Sequence, residues 1–521
     1  MWTKELEELE RRKKLAYKMG GEKNITRQHE HGKMTVRERI NALTDKGSFE
    51  ERGVLSGLPV YDKKDKNKIL DIIPCPFIMG IAKLDGRKIA IHGDDFTIRG
   101  ASVGRMYKAK RGYFIKMSRS LRLPIIRLIE GAGGSIREII QIGYTELPSG
   151  NLEGTQHEVE AMSEIPIVSL GFGAIAGLGA LFMVKSHFSV MVKEKSQIFV
   201  GGPPLVKSAT GEDTTKEELG GYKIHARISG VVDNEAENEE DALMQARMFL
   251  SYLPSNVWEM PQRKHIKKDD PGRREEELIN IIPRDNRKPY DMRRILKLVL
   301  DRDSIFEIGK YQGRSQITAL ARMNGYPVGV LANDPKFIAG SFNYDVAEKF
   351  QRFVDMCDTF HLPIINFSDQ PGFTIGKKSE EYGTIRKGVR ASFAMAQATV
   401  PVAVLYLRKC FGVAGAAQRT AMAFSWQYAW PSAAWGNIPV EGGVYAAHRG
   451  EIESSEDPEK HLEQLQDMYR AIASPFRTAE AFGIEEIIDP RDTRRLLCDW
   501  VESAFDIEKT NLGPKKRGMR C

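Results

Sequence analysis

Four glycine-rich turns are the features of this 521-residue chain that could support chemistry. Two lie in the first half, one at Gly133 and Gly134 and one at Gly177, and two lie in the second half, at Gly372 and Gly412. Small residues after a strand let the backbone approach a ligand closely and leave amide N–H groups directed into the turn. Such amides can stabilise a developing oxyanion by roughly 3–4 kcal/mol for each well-placed donor.

Other catalytic motifs are sparse around these turns. No segment fits GxGxxG followed by an acidic residue, the phosphate loop GxxxxGKS/T or the nucleophile elbow GxSxG. Glu130 and Glu138 flank the first turn, but Glu130 ends a predicted strand, where a cap role fits at least as well as catalysis. The five cysteines form no CxxC pair, so the sequence predicts neither a zinc ribbon nor another metal site.

The two halves of the chain repeat the same landmarks around these turns. Five landmarks recur in one order, at offsets of 239 residues and then 235: Gly86 as Gly325, Pro124 as Pro363, Gly133 as Gly372, Pro166 as Pro401 and Gly177 as Gly412. In each half, apolar β-branched segments alternate with helix-like segments, which is typical of α/β folds. The sequence therefore predicts a duplicated α/β domain, with a site formed between equivalent turns.

Length and composition set the remaining expectations. A chain of 521 residues is too long for one ordinary core, so two or more domains are expected. The net charge of +7 is too weak an excess to indicate nucleic acid. The longest apolar run, at 165–183, is rich in glycine and predicts no membrane span. Scattered cysteines and a charged N-terminus predict a cytoplasmic protein, or a mitochondrial or other organellar matrix protein in a eukaryote.

A charged, proline-containing stretch separates the two repeats. Charged residues dominate from 233 to 288, and 264–277 is nearly all polar, which is typical of a linker. We predict four parts along the chain: an N-terminal helical segment at 1–31, a first domain at 32–265, a charged linker at 266–289 and a second domain at 290–521.

Six segments carry longer motifs: TVRERI at 35–40, FVGGPPLVK at 199–207, ELGGYKIH at 218–225, NDPK at 333–336, DQPGF at 369–373 and IDPRDTR at 488–494. Through them the chain resembles the carboxyltransferase (β) subunits of biotin-dependent acyl-CoA carboxylases, such as those acting on propionyl-CoA and methylcrotonyl-CoA. The similarity runs from residue 33 to residue 495, which is most of the chain.

The resemblance implies two crotonase-like domains in each chain and a hexamer whose active sites lie between subunits. It implies that the first domain binds the coenzyme A thioester and that the second binds carboxybiotin, which is attached to a separate carrier protein. The carboxyl group passes from biotin to the α-carbon, or the γ-carbon, of the acyl group. A biotin carboxylase and a biotin carboxyl carrier protein are therefore expected partners, whereas nucleic acid and membrane are not.

The resemblance implies which residues of this chain form the site, by their positions in the turns. Gly177 and Leu178 match the oxyanion pair of the first domain, and Gly412, Val413 and Ala414 match the turn that faces biotin. The other expected contacts are, on the acyl side, Gly133, Gly134, Ser135 and Ala176 and, on the biotin side, Gly372, Phe373 and Phe411.

Three of the family's motifs are altered in this chain. The family's DSGGA turn reads GAGGS at 131–135, its second oxyanion glycine is Leu178, and the aspartate of its FGGAYD motif is Ala416. In the family that aspartate is associated with small acyl substrates, and we expect Leu178 to narrow the pocket. We therefore expect an acyl substrate that is neither simply propionyl-CoA nor acetyl-CoA.

The sequence leaves other functions open. A decarboxylase subunit that catalyses the reverse reaction shares the transition state, so the sequence does not set the direction. A non-catalytic assembly subunit would account for the altered DSGGA turn. A crotonase-type hydratase is disfavoured, because it explains neither the duplication nor the IDPRDTR segment.

Overall fold

The computed structural model describes residues 1–131, 133–134, 140, 143–144, 152–264 and 269–519. These residues form two compact units, one of Met1–Glu259 with Lys516–Met519 and one of Met260–Lys515. Within the predicted linker, Leu278 is buried in the core of the second unit, so this part of the charged stretch is packed. The predicted domain boundaries stay predictions. In the described part of the chain, no helix is long and apolar enough to cross a membrane.

The helices and strands of the first unit follow in chain order: α1 (Thr3–Tyr17), α2 (Glu22–Glu30), α3 (Val36–Leu43), β1 (Glu50–Glu51), β2 (Gly57–Tyr61), β3 (Ile69–Pro74), β4 (Phe77–Leu84), β5 (Arg87–Asp94), α4 (Arg105–Ser120), β6 (Ile125–Gly131), α5 (Leu152–Ala161), β7 (Ile167–Ala176), α6 (Leu178–Val184), β8 (Phe188–Val192), β9 (Gln197–Phe199), α7 (Pro203–Thr210), α8 (Lys216–Gly220), α9 (Tyr222–His225), β10 (Asn234–Ala236) and α10 (Glu239–Tyr252). The main sheet has the order β1-β4-β5-β6-β7-β8-β10, and β9 also pairs with β7. β4 is antiparallel to β5, and β5 to β8 run parallel. β2 and β3 form a separate hairpin.

The second unit continues with α11 (Met292–Val299), β11 (Phe306–Ile308), β12 (Gln316–Met323), β13 (Tyr326–Asn333), α12 (Tyr344–Thr359), β14 (Ile364–Gln370), α13 (Lys377–Glu381), α14 (Thr384–Gln397), β15 (Val402–Phe411), α15 (Gly412–Ala416), β16 (Ser425–Ala429), β17 (Ala434–Gly436), α16 (Val440–Glu453), α17 (Pro458–Ile472), α18 (Pro475–Glu480), β18 (Glu486–Ile487) and α19 (Thr493–Glu508). Its sheet has the order β11-β12-β13-β14-β15-β16-β18, and β17 also pairs with β15. Every residue of β6 and of β14 is buried, as expected for central parallel strands covered on both faces.

The two sheets repeat each other strand by strand, which confirms the predicted duplicated α/β fold. β4, β5, α4 and β6 recur as β12, β13, α12 and β14, with the same spacing as Gly133 and Gly372. β7 recurs as β15, with the same spacing as Gly177 and Gly412. An isolated bridge in the first unit, at Val103 and Gly134, also has its copy in the second, at Phe342 and Phe373.

The hairpin between the first two long strands of each sheet shows how the sequence specifies the repeat locally. An Asp-Gly pair at 85–86 joins β4 to β5, an Asn-Gly pair at 324–325 joins β12 to β13, and all four residues have positive φ. These are the residue pairs that tight two-residue hairpins favour. The Asp45 carboxylate accepts both amides of the first turn at 3.0 and 2.8 Å, and the Asp301 carboxylate accepts those of the second at 3.0 and 2.7 Å.

The repeat also includes a helix and a strand that the glycine and proline landmarks do not mark. α3 and β1 recur as α11 and β11, and the ion pair of Arg37 with Glu51 recurs between Arg293 and Glu307. The two copies of these elements are further apart in sequence than β4 and β12 are. The reason is that the β2–β3 hairpin lies between β1 and β4, whereas β12 follows β11 directly. This insertion changes the spacing, so landmarks at one constant spacing do not reveal the earlier part of the repeat.

Candidate functional site

In each unit, the two predicted turns lie side by side at the carboxyl ends of neighbouring parallel strands. β6 pairs with β7, and a Cβ atom added to Gly133 would lie 3.2 Å from the carbonyl oxygen of Ala176. β14 pairs with β15, and a Cβ atom added to Gly372 would lie 3.9 Å from the carbonyl oxygen of Phe411. The carboxyl ends of parallel strands are where open α/β sheets bind ligands. The structure thus brings predicted site residues together within each unit.

Gly177 joins β7 to α6 in a conformation that favours glycine, with φ 57° and ψ −116°. Its N–H group donates to the carbonyl oxygen of Phe199 in β9, at 3.3 Å. The first bond of the helical ladder runs from the Leu181 N–H to the Gly177 carbonyl, so the Leu178 amide precedes the ladder. Of the predicted oxyanion pair, Leu178 therefore has the amide that the helix does not use, while the Gly177 amide supports the strand pairing.

The side chain of Leu178 packs against the core cluster that contains Ile129, Ile175, Phe182 and Met183. It therefore contributes to the contact between α6 and the sheet. This packing accounts for an apolar residue where the family has glycine, without loss of the backbone amide. The narrowing of the acyl pocket by Leu178 stays a prediction.

The equivalent turn of the second unit begins at Gly412, whose φ of 64° is close to that of Gly177. Phe411 and Ala414 are buried, whereas the Val413 residue between them is 67% exposed. Burial raises the pKa of the Cys410 thiol to about 12. At neutral pH this cysteine is therefore a neutral packing group rather than a nucleophile.

Contacts with its own unit fix the turn at Gly372 and Phe373. The Gly372 N–H donates to the Gln370 side-chain oxygen at 2.9 Å, and the Gly372 carbonyl accepts the Phe342 N–H at 3.0 Å. The rings of Phe373 and Phe342 meet edge-on, with centroids 5.6 Å apart. A Cβ atom added to Gly388 in α14 would lie 2.5 Å from the Phe373 ring, so this glycine gives the ring its space.

The turn at Gly133 and Gly134 is held in the same way. The Gly133 carbonyl accepts the Val103 N–H at 2.9 Å, and Gly134 forms an isolated bridge with Val103. Val103 lies just before α4, so the turn is tied to the start of that helix. Ser135, the fourth residue predicted for the acyl side, lies outside the described residues.

A buried carboxylate precedes the glycine turn of each unit, and the one in the first unit is Glu130. It contacts Arg39 at 2.7 Å, Lys33 at 2.9 Å and the side-chain amide of Gln28 at 3.1 Å. Arg39 also donates two 2.8 Å bonds to Glu239. Charges this deeply buried persist in a fold when they are paired in this way. The cluster fastens the N-terminal helices to the sheet, which leaves Glu130 engaged rather than available for catalysis.

Asp369 holds the equivalent position in the second unit, 239 residues later. Its carboxylate contacts the Arg408 guanidinium at 2.9 Å and accepts the Tyr290 hydroxyl at 2.9 Å and the Lys409 N–H at 3.0 Å. Because Asp369 lies in β14 and Arg408 in β15, the pair connects the two strands just before their turns. Sequence reasoning included Arg39 in the TVRERI motif without giving it a role, and it did not identify Arg408. The reason is that nothing local marks a residue as the partner of a distant buried charge.

One structural position behind the turns is an aspartate in one unit and an asparagine in the other. Asp94 accepts the backbone N–H of Glu130 at 3.3 Å, and Asn333 accepts that of Asp369 at 3.0 Å. Asp94 also accepts the Tyr107 hydroxyl at 2.8 Å. Burial raises the pKa of Asp94 to about 7, although the two hydrogen bonds oppose the shift. In the second unit the uncharged amide of Asn333 accepts the equivalent backbone N–H, so this hydrogen bond does not require a charged carboxylate.

The chain matches the family described as Carboxyl transferase domain over residues 27–519. It is 34% identical to the propionyl-CoA carboxylase carboxyltransferase subunit of Haloferax mediterranei, over 95% of this chain and 95% of that protein. It is 32% identical to the methylmalonyl-CoA decarboxylase subunit alpha of Veillonella parvula, over 96% and 95% of the two chains. It is 30% identical to the methylmalonyl-CoA carboxyltransferase 12S subunit of Propionibacterium freudenreichii subsp. shermanii, over 99% and 97%.

The structure is similar to the crystal structure of a transcarboxylase 12S hexamer with methylmalonyl-coenzyme A and methylmalonic acid bound. The TM-score is 0.88 at 30% identity, and the similarity covers 99% of this chain and 98% of that one. This similarity confirms the crotonase-like fold that the sequence resemblance implied. Because the family match spans nearly the whole chain, including both pairs of glycine turns, the chain belongs to the carboxyl transferase family.

Proposed function

We propose that this protein is the carboxyltransferase component of a biotin-dependent acyl-CoA carboxylase. It transfers a carboxyl group from carboxybiotin, held on a separate carrier protein, to the α- or γ-carbon of an acyl-CoA. The observation that carries the proposal is the family match over residues 27–519, which includes both pairs of glycine turns. Relatives that bear the names of propionyl-CoA carboxylase and methylmalonyl-CoA carboxyltransferase subunits support it.

Backbone amides in the turns are the groups that we assign to the chemistry. The Leu178 amide stabilises negative charge on the thioester oxygen of the acyl-CoA, and the Val413 and Ala414 amides stabilise charge on the ureido oxygen of biotin. Each well-placed amide of this kind contributes roughly 3–4 kcal/mol. Gly177 and Gly412 hold the backbone in the positive-φ conformation that starts each turn.

The remaining predicted contacts shape the two halves of the site. We assign Gly133, Gly134 and Ala176 to the acyl group and Gly372, Phe373 and Phe411 to the biotin ring. Small residues fit the first set, because the two turns of that unit approach within contact distance of one another. The two phenylalanines fit the second set, since an aromatic face can pack against a flat ring.

We assign the proton that leaves the substrate carbon to an acceptor other than Glu130 and Asp369. Glu130 and Asp369, which lie closest in sequence to the turns, are held in ion pairs with Arg39 and Arg408. The carboxyl group leaves a ureido nitrogen as the new carbon–carbon bond forms, and the substrate proton passes to that nitrogen. The chain's part is then to orient both substrates and to stabilise the charge that develops.

We propose that the protein acts as a hexamer with active sites between subunits, and that a biotin carboxylase and a biotin carboxyl carrier protein are its partners. The hexamer described for transcarboxylase 12S supports this assembly. So does an exposed apolar face on α14, where Ile385, Val389 and Phe393 are 64%, 43% and 60% exposed. Residues spaced by four lie on one side of a helix, and such a face is typical of an interface.

We further propose that the preferred acyl group is neither acetyl nor simply propionyl. Ala416, at the position of the family's FGGAYD aspartate, is the last residue of α15 and is exposed. No carboxylate at this position is therefore available to favour a small acyl group. Steady-state rates with a panel of acyl-CoAs test the point, and a highest kcat/KM for propionyl-CoA would contradict it.

The reaction itself is tested by combining the purified chain with a biotin carboxylase and its biotinylated carrier. With ATP, labelled bicarbonate and an acyl-CoA, we expect label in the acyl-CoA product only when all three proteins are present. Fixation of label by this chain alone would contradict the partner requirement. An intact oligomer that transfers no carboxyl group to any acyl-CoA would instead support a non-catalytic assembly role.

A further inference from the structure

A cleft of about 380 Å³ opens in the first unit, where β5 and β6 begin. Its lining includes Arg87, Lys88, Arg122, Asn256, Trp258 and Glu259. The turn at Gly133 follows the opposite end of β6, and a seven-residue strand such as β6 spans roughly 20 Å. The cleft is therefore separate from the predicted carboxyl-transfer site.

The cleft has a surplus of positive charge beside an aromatic ring. Three of its side chains are cations and one is a carboxylate. The Arg122 guanidinium lies over the Trp258 ring, 3.8 Å from the ring centroid. Arg87 donates to the carbonyl oxygens of Leu250 and Leu253 at 2.8 Å each and so caps the end of α10. These residues suit a ligand that carries an anionic group next to an apolar one.

In the second unit, side chains of the same chain cover the equivalent surface. Tyr326 and His361 are the residues 239 positions after Arg87 and Arg122. The Tyr326 ring packs against Phe505, with centroids 4.6 Å apart, and His361 Nδ1 lies 3.2 Å from Glu508 Oε2. Both of these partners lie in α19, and the side chains of His361 and Glu508 are fully buried. In that unit the surface is thus covered by an aromatic ring and a carboxylate.

A difference in helix length explains why the first copy is open. Strand pairing places Glu235 of β10 in register with Met191, and Ile487 of β18 with Ala429. Met191 and Ala429 are themselves equivalent, because they pair with equivalent positions of β7 and β15. Glu235 and Ile487 are therefore equivalent, and they are 252 residues apart. The same spacing makes Tyr252, the last residue of α10, equivalent to residue 504. α19 continues for four residues, about one turn, and this turn contains both Phe505 and Glu508.

We propose that the cleft of the first unit binds an organic carboxylate from outside the unit, with Arg122 and Lys88 contacting the carboxylate and Trp258 the apolar part. By the same spacing Asn256 is the counterpart of Glu508, and its side-chain amide donates to the Arg122 carbonyl oxygen at 3.3 Å. An amide cannot supply the negative charge that Glu508 supplies beside His361, and the ligand carboxylate supplies it instead. A cleft of this volume is within the range of small-molecule sites. Arg122 stands at the position that is equivalent to His361. Its guanidinium can donate to a carboxylate, and this donor carries a permanent positive charge. This inference does not rest on the proposed carboxyl transfer.

The test uses the full-length protein with 3-phenylpropionate as the probe, because this molecule combines a ring with a carboxylate. Binding is followed by tryptophan fluorescence and by ligand-observed NMR, and a Trp258→Phe variant assigns the fluorescence change. We expect binding to weaken at least tenfold in Arg122→Met, which keeps most of the side-chain stem. An Arg287→Met variant, which removes a cation with a 92% exposed side chain in the other unit, should bind as the parent does.

Three further arms distinguish the alternatives. The neutral amide of the probe should bind at least tenfold more weakly than the acid, and equal binding would contradict a carboxylate site. Inorganic phosphate that binds as tightly as the probe would show a site for bare anions and would contradict the role of Trp258. Coenzyme A should leave the probe bound, and its displacement by coenzyme A would place the probe in the acyl-CoA site and overturn the inference.

Discussion

At the residue scale, Gly177 serves the fold and the candidate site together. Its N–H group holds β9 against β7, and its positive φ directs the chain so that Leu178 begins a helix. An L-residue in this conformation is strained by about 1–3 kcal/mol. We therefore expect Gly177 to matter through its backbone geometry, since its amide is already bonded to Phe199.

Replacing Gly177 with alanine tests this view of the turn. We expect Gly177→Ala to lower kcat for carboxyl transfer by roughly tenfold or more, because relief of the backbone strain would move the Leu178 amide. The space around the added Cβ is open, so a steric clash would not contribute to the change in kcat. An Ala180→Gly change in the same helix is the control. Equal kcat in Gly177→Ala and the parent would argue against this turn as the oxyanion site.

The buried Asp94 predicts a dependence of stability on pH. Its folded pKa of about 7 lies above the unfolded value of about 4, so the contribution of the protonated form is present in full below pH 4 and is lost as pH rises through 7. In Asp94→Asn the side chain cannot titrate, and the Tyr107 hydroxyl can rotate to accept from the new amide. We expect the variant to lose less stability than the parent between pH 5 and pH 8, by up to about 3 kcal/mol.

Denaturant midpoints at pH 5 and pH 8 measure this difference. The reciprocal change, Asn333→Asp, should introduce a similar loss of stability at high pH in the second unit, because it places an ionisable group in the equivalent buried position. Parallel pH profiles for the parent and Asp94→Asn would contradict the assignment.

At the scale of elements, the Asp369–Arg408 pair connects β14 to β15 immediately before the two turns of the second unit. Removal of one member leaves the other buried without its counter-charge, which costs about 3–5 kcal/mol. We expect Asp369→Asn to lower the denaturant midpoint of the second unit accordingly. The exposed pair of Asp467 with Arg470 supplies the control, and Asp467→Asn should change the free energy of unfolding by less than about 1 kcal/mol. Similar effects of the two changes would refute the positioning role.

The elements also show which parts of the molecule could be predicted from the sequence. Glycine and proline landmarks are local signals, so the turns, their order and the duplication could be identified from the residues alone. The ion pair of Arg39 with Glu239 could not, because its members are 200 residues apart. The engagement of the Gly177 amide depends on where β9 lies, and the cleft at Arg122 depends on one missing turn of helix. Neither leaves a pattern in a single stretch of sequence.

At the scale of the whole molecule, the apolar face of α14 predicts an oligomer contact. We expect Phe393→Asp to shift the protein to smaller species in sedimentation or light scattering, because a charge cannot be buried in an apolar interface without a partner. Phe476 in α18 has comparable exposure, at 52% against 60%, and Phe476→Asp is the matched control. A Phe393→Asp protein of unchanged mass would contradict an interface at this face. Activity should fall together with the assembly, since the proposed active sites lie between subunits.

The buried cluster of Arg39, Glu130 and Glu239 has a consequence for co-translational folding. Arg39 is synthesised 91 residues before Glu130 and 200 residues before Glu239. At translation rates of about 5–20 residues per second, the second carboxylate follows the arginine by roughly 10–40 s. Throughout that interval the N-terminal helices lack a partner that completes their docking. We therefore expect the first unit to complete its folding only when nearly all of it has been made, late in its synthesis rather than progressively.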